Sequence, residues 1–220
     1  MKAYTAALPN KLCQRAIFEL WPDMRYMLSP MCMKSFGRNR HHIVKENGYA
    51  IDNGAYGYYT RGESFNGGAF LSLCDEWHHT ADWIVAPDKV GDWEETIAMS
   101  MRWTNILTSY NRPLLIVAQD GCEVDDYHTI KSILRSRIYG GLFIGGTTDW
   151  KLKHLPMLAS LCKEAGKICH VGRVNSGKRV KYCYDSGASS IDGSGMSRFL
   201  ATTLVVCKTL RDLERQNTLF

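Results

Sequence analysis

Short apolar runs recur along this chain, each followed by an amphipathic segment, at intervals of roughly 25 to 30 residues, the pattern of repeated βα units. The clearest are Tyr26 to Ser29, Tyr49 to Ala55, Asp82 to Asp88, Leu114 to Asp120, Gly141 to Gly146, Lys167 to Arg173 and Ala188 to Gly193, with a weaker one at Ala3 to Leu8. Between them the period becomes helical. Val124, Tyr127, Ile130, Leu134 and Ile138 share one face, and Leu152, Leu155, Ala159 and Cys162 another. Asp92 with Glu95 resembles a capping box ahead of a helix from Trp93 to Tyr110, while Gly166 and Gly187 stand where C-cap glycines end the preceding helices. Alternating βα units make a parallel sheet, either open or closed into a barrel.

The strand ends decide between the two. An open nucleotide-binding sheet carries a glycine-rich phosphate loop after its first strand, and no GxGxxG or Walker sequence follows any run here. Polar residues stand there instead: Asp52, Asp88, Gln119, Gly145 with Gly146, Arg173 and Asp192 each fall at or just past the C-terminal end of a different run. Barrel enzymes assemble their sites in this way. The expectation is a compact (β/α)8 barrel, one domain over residues 1–220, with little room for inserted domains.

Composition adds limits. Hydrophobic residues at 45% and charged residues at 22% exclude a disordered or fibrous chain. No stretch approaches the ~18 apolar residues of a membrane span, and the N-terminus lacks the apolar core of a signal peptide, so no membrane partner and a cytoplasmic location are expected. The 8 cysteines are scattered singly in apolar surroundings and read as reduced core thiols. With no CxxC or HExxH, and with His41–His42 and His78–His79 only as doublets, no metal site is expected. The net charge of +5 is concentrated in two acid-free runs, one with Lys34, Arg38, Arg40 and Lys45, the other with Arg173, Lys178, Arg179 and Lys181. Such runs suit either a solvated surface or phosphate contact.

A carboxylate at the end of an apolar strand is costly to bury unless paired or used. Each aspartate also has a structural reading. Asp52 can cap its turn, Asp88 can pair with Lys89, and Asp192 can hold the N-terminus of the last helix. Taken together they converge on one barrel mouth.

The order and spacing of IDNGAY, VAPDKVGD, LLIVAQDG, LFIGG and GASSIDG, from about Tyr26 to Gly193, resemble the tRNA-guanine transglycosylase family. Segments such as GGTTDWK and HVGRVNSGKRVKYCYDSGASSIDG are similar to its short, phage-encoded branch, the DNA 7-deazaguanine transglycosylases. The resemblance implies a base exchange in DNA: guanine leaves its deoxyribose and a 7-deazaguanine, 7-cyano-7-deazaguanine or a derivative, enters with the backbone intact. By that likeness Asp192 matches the nucleophile and Asp52 the general acid/base. Asp88, Gln119, Gly145 and Gly146 match the base-recognition set, and Tyr56, with Tyr58 and Tyr59 nearby, offers an aromatic face for stacking.

Guanine in a duplex is out of reach of such a pocket, so the DNA partner presents a flipped or single-stranded base. Arg173, Lys178, Arg179 and Lys181 would then hold flanking phosphates, with Asn175 read as the N-cap of the next helix. No cofactor is implied, the free 7-deazaguanine base being a co-substrate, and the location is the host cytoplasm if the chain is phage-encoded. The tRNA enzymes carry a zinc segment of closely spaced cysteines and a histidine after the nucleophile strand. Here only Cys207 follows Asp192, so the zinc subdomain is missing and DNA is favoured over tRNA. A tRNA substrate, a catalytically silent nucleic-acid-binding barrel or subunit, and a homodimer stay open.

Overall fold

The computed structural model describes residues 1–6, 9–33 and 41–217, without the side chains of 41–43 and 217. Lys34, Arg38, Arg40, the last two residues of the Ala3 to Leu8 run and the His41–His42 rings therefore lie outside the described part. Eight parallel strands close into a barrel in chain order. They are β1 (Lys2–Ala6), β2 (Arg25–Leu28), β3 (Tyr49–Ile51), β4 (Ile84–Val85), β5 (Leu114–Ala118), β6 (Tyr139–Ile144), β7 (Ile168–Val171) and β8 (Ser190–Asp192). Closure comes from the β1–β8 ladder, which pairs Lys2 with Ser190, Ala3 with Ile191 and Tyr4 with Asp192. Strands β3, β4, β5 and β7 are shorter than their apolar runs, because the polar residues that close those runs have already turned into the mouth loops.

Alternation sorts each strand into two cores. Ala3, Leu28, Ile51, Ile84, Ile116, Leu142, Cys169, Val171 and Ile191 face outward into the layer under the helices. Tyr4, Met27, Ala50, Trp83, Val85, Leu115 and Val117 fill the barrel itself, with Phe143 and Ile168 packed against them. The helices of the outer ring are α1 (Lys11–Leu20), α2 (Pro30–Met33), α3 (His41–Asn47), α4 (Ala55–Tyr59), α5 (Gly67–Trp77), α6 (Trp93–Thr108), α7 (Tyr127–Arg135), α8 (Thr148–Glu164), α9 (Gly177–Asp185), α10 (Gly195–Arg198) and α11 (Leu200–Asn217). The Asp92 side chain caps α6 by accepting from Glu95 N at 3.0 Å. Gly166 and Gly187, at φ +64° and +86°, follow α8 and α9 in the left-handed region that favours glycine.

Two helix faces need correction. Val124 and Ile138 are exposed, because α7 begins only at Tyr127 and ends before Ser136, so Ile130, Ile133 and Leu134 carry its contact. Leu152 is also exposed, while Leu155, Ala159 and Cys162 are buried as expected. Pro156 inside α8 explains a further contact. Its missing N–H leaves the carbonyl of Leu152 without its helical donor, and the Tyr182 hydroxyl of α9 donates to that oxygen at 2.6 Å.

Among the described residues no helix is long and apolar enough to cross a membrane. All 8 cysteines are free, and all but Cys32 are buried.

A bulge in β6 was not legible in the sequence. Leu114 pairs with Tyr139 and Leu115 with Gly141, so Gly140 is left over. A Cβ on Gly141 would stand 2.0 Å from the Ile168 carbonyl oxygen and one on Gly140 2.5 Å from Pro113 Cβ. Gly141→Ala is therefore expected to cost about 1–3 kcal/mol or more, measured by urea denaturation, because the β6 and β7 backbones must part to admit a methyl group.

Candidate active site

The mouth is built from the residues that leave the strands. Asp52 follows β3, and its backbone N–H still donates to Leu28 O at 2.7 Å, which holds it at the rim. Gly54, at φ +79°, then turns the chain into α4. This turn directs the Asn53 and Gly54 N–H groups onto the Asp52 carboxylate, so the turn-capping reading is correct as far as it goes. It does not account for the energetics. Burial, joined by the negative charges of Asp192 and Asp88, pushes the Asp52 carboxyl up to about 7, and the two backbone donors only partly offset this.

Asp88, after β4, accepts from Asn53 Nδ2 at 2.8 Å and lies 3.4 Å from Gln119 Nε2. These, rather than Lys89, are its hydrogen-bond partners. Burial raises its carboxyl to about 6, with Asn53, Gln119 and the charge of Arg173 opposing. Asn53 is 2% exposed and both ends of its amide are engaged: the nitrogen also donates to Ala86 O at 2.7 Å, and the oxygen accepts from Ala55 N at 2.7 Å. It locks the β3 loop to the β4 loop. Gln119 is similarly occupied. Its Nε2 lies 2.7 Å from both Lys89 O and Thr96 Oγ1, and its Oε1 accepts from Gly91 N at 3.1 Å, so the amide braces the loop that carries Asp88.

Gly145 N donates to Ala118 O at 2.8 Å and continues the sheet past β6. Gly146 has φ +70°, and a Cβ there would meet Asp120 Oδ2 at 2.7 Å and Trp150 Cε3 at 2.9 Å. Its carbonyl accepts from Arg173. Arg173 itself adopts φ +60°, uncommon for a residue with a side chain, and its guanidinium lies 4.3 Å over the ring of Tyr56. Tyr56 belongs to α4 after β3, and Arg173 follows β7, on the far side of an eight-stranded barrel. The arginine therefore reaches across the mouth, and its charge is felt at both Asp88 and Asp120.

The rest of the basic run diverges. Lys178 is exposed, Lys181 pairs with Asp185 at 3.1 Å along α9, and Arg179 is half-buried near Lys151. The cap of α9 is Ser176, whose side chain accepts from Arg179 N. Asn175 instead accepts from Gly195 N at 2.8 Å and braces the turn after β8. Ser194, not Asp192, occupies the N-cap of α10, so the carboxylate of Asp192 is left for the mouth.

Two neighbours of Asp192 were missed in the sequence. His170, on β7 and fully buried, places Nε2 3.0 Å from Asp192 Oδ1 and Nδ1 2.8 Å from Ser190 Oγ. Alternation in KICHVGR puts His170 on the inward face and was the available signal. Lys151, buried in the first turns of α8, donates to Gly172 O at 2.6 Å. Burial and then the charge of Arg173 lower its ammonium to about 8, with Asp192 opposing. No local pattern marks a helix lysine that reaches back to the rim. Among the described residues no group of three or more His, Cys, Asp or Glu side chains is arranged to hold a metal ion.

No family model and no curated protein matches the chain. Among solved structures, the YdjI aldolase from Escherichia coli K12 superposes with a TM-score of 0.57 at 10% identity, over 98% of this chain and 89% of that one. RipC from Yersinia pestis gives 0.52 at 12% identity, over 96% and 94%. At such identities the likeness establishes the (β/α)8 barrel alone.

The raised carboxyl of Asp52 has a consequence for stability. The folded chain keeps this proton up to about pH 7 whereas an unfolded aspartate loses it near its ordinary value of 3.8, so between these values the native state binds more protons and stability falls as pH rises. Asp52→Asn, which removes the ionisation, is expected to unfold at higher denaturant than the parent at pH 8. The gain is a few kcal/mol at most, on a scale of ~1.4 kcal/mol per pKa unit. At pH 4 the advantage disappears; paired urea titrations at the two pH values measure both.

Proposed function

We propose that this protein exchanges guanine in DNA for a 7-deazaguanine base, 7-cyano-7-deazaguanine or a derivative, through a covalent aspartyl-glycosyl intermediate. The observation that carries the reading is the meeting of two carboxyls at one mouth, each with different neighbours. Asp52 is held protonated close to neutral pH by burial and by the charge of Asp192, while Asp192 faces a histidine N–H position and the charge of Lys151. Two carboxyls with separated tasks are what a retaining displacement at an anomeric carbon requires.

The steps balance on these two residues. A carboxylate oxygen of Asp192 attacks C1′ as the bond from C1′ to the guanine nitrogen breaks, and the bonding pair leaves with the base. Asp52 gives its proton to the departing base and becomes a carboxylate. The incoming 7-deazaguanine then attacks C1′ through N9, its N9 proton passes to Asp52, and Asp192 leaves as a carboxylate. Microscopic reversibility makes the acid of the first half the base of the second. No cofactor enters.

Asp88 supplies an acceptor for the N–H edge of the base, held in place by Asn53 and Gln119. Tyr56 supplies the stacking face now covered by the Arg173 guanidinium. Arg173, Lys178, Arg179 and Lys181 are the proposed phosphate contacts; Lys178 is the one that stands free towards solvent on α9, while Arg173 would have to leave Tyr56.

Purified protein incubated with labelled base and, in parallel, DNA and tRNA should incorporate the base into DNA, as read by nucleoside digestion and mass spectrometry; incorporation in neither polymer would sink the proposal, and incorporation in tRNA alone would reassign the substrate. Asp192→Ala should abolish the covalent adduct. The rate of guanine release should fall about tenfold per pH unit above the Asp52 value of about 7, since only the protonated acid can donate. A rate flat to pH 9 would remove Asp52 from that role.

A further inference from the structure

His170 takes no part in the proton transfers above, yet it is the most enclosed polar group beside them. Its Cα lies opposite that of Ser190 in the β7–β8 ladder, and Asp192 is the next residue on the same face of β8. The ring is walled by Trp83, Phe143 and Tyr4, with centroids at 4.7, 4.9 and 5.6 Å. A Cβ on the neighbouring Gly172 would sit 2.8 Å from the Phe143 ring and 3.3 Å from Asp192 Oδ1, so the glycine keeps this corner open.

An imidazole nitrogen facing a carboxylate at 3.0 Å attracts it only if that nitrogen carries the proton. Nδ1 is then the acceptor, and the Ser190 hydroxyl at 2.8 Å donates to it. The result is a directional chain, Ser190 O–H to Nδ1 and Nε2–H to Asp192 Oδ1, buried along its length except at the final oxygen.

We propose that His170 is the positioning residue for Asp192: it ties down Oδ1, so that Oδ2 is the oxygen that meets the sugar carbon. The inference rests on the reading of Asp192 as the nucleophile. When Oδ2 bonds to C1′, the base leaves with the C1′–N electron pair and the Asp52 proton, and Oδ1 becomes the carbonyl oxygen of the ester. When the entering N9 displaces Oδ2, the carboxylate charge returns and meets an N–H already in place. His170 neither gains nor loses a proton. Ser190 fixes which of its nitrogens holds one, a second partner of the kind that orients ligating and catalytic imidazoles elsewhere.

The test uses the full chain and a guanine-containing single-stranded oligonucleotide in single-turnover mode, reading the covalent protein–DNA adduct, with oligonucleotide affinity measured separately. His170→Phe keeps a ring in the aromatic box and removes the donor. It should slow adduct formation about 10- to 100-fold, the scale of one charge-assisted hydrogen bond, with affinity within about twofold of the parent. His170→Gln, which restores a terminal N–H, should recover at least a third of that loss on a logarithmic scale, and Ser190→Ala should fall between parent and His170→Phe. A folded His170→Phe that forms adduct at the parental rate, or a His170→Gln no faster than His170→Phe, would overturn the proposal.

Side-chain 15N spectra of the histidines judge the hydrogen-bond chain without any turnover. An Nε2–H tautomer at His170 that becomes mixed in Ser190→Ala is expected, and an Nδ1–H tautomer in the parent would overturn the chain. If the parent forms no adduct while the Nε2–H tautomer is present, the transglycosylase reading fails and the hydrogen-bond chain stands. If the adduct forms on an Nδ1–H histidine, the reverse holds.

Discussion

The ladder between β1 and β8 is the interaction on which the mouth depends. Strand β8 has only three residues, and its pairing with Lys2, Ala3 and Tyr4 on one side and with His170 and Val171 on the other sets the height and rotation of Asp192. Because side chains alternate along a strand, a slip of one residue would turn Asp192 outward into the helix layer and bring Ile191 to the mouth. Ile191, fully buried in the outer core, opposes that slip. Hydrophobic register therefore sets the direction in which the Asp192 carboxylate leaves the strand.

Around that fixed point the charges are balanced by neighbours from different strands. The charges of Asp192 and Asp88 add to burial in raising the cost of ionising Asp52, Arg173 eases that of Asp88, and the buried Lys151 ammonium interacts favourably with Asp192. Lys151 arrives from α8, whose Leu152 carbonyl is held by Tyr182 of α9 across the Pro156 interruption. The outer ring thus reaches into the site through one lysine, and the docking of α8 on α9 bears on the electrostatics of Asp192 as well as on packing.

Much of the fold was legible because its signals are local. Eight apolar runs, the Asp92 cap and the glycines after α8 and α9 all act within a few residues of themselves. The strand-end residues Asp52, Asp88 and Asp192 were found by the same token, since a polar residue closing an apolar run stands out. What escaped depends on distant partners. His170 sits among aromatic residues in the barrel interior and looks like core until its two nitrogens are traced to Ser190 and Asp192. Gln119 ends β5 as a site residue would, yet Thr96, Lys89 and Gly91 take its amide. Ser176 and Asn175 are adjacent and both suited to capping, and only the position of Gly195 N decides which of them braces the turn after β8.

The aromatic filling of the barrel has a last consequence, for the order of events. Tyr4, Trp83 and His170 fill the barrel interior beneath the rim, so the mouth is a well floored by packed side chains. A planar base lying in such a well blocks its own replacement. For the exchange proposed above, the outgoing and incoming bases must share one berth in succession, and the sugar must wait on the protein while the berth is empty. The covalent bond to Asp192 then serves as a mooring that holds the opened nucleotide through that interval.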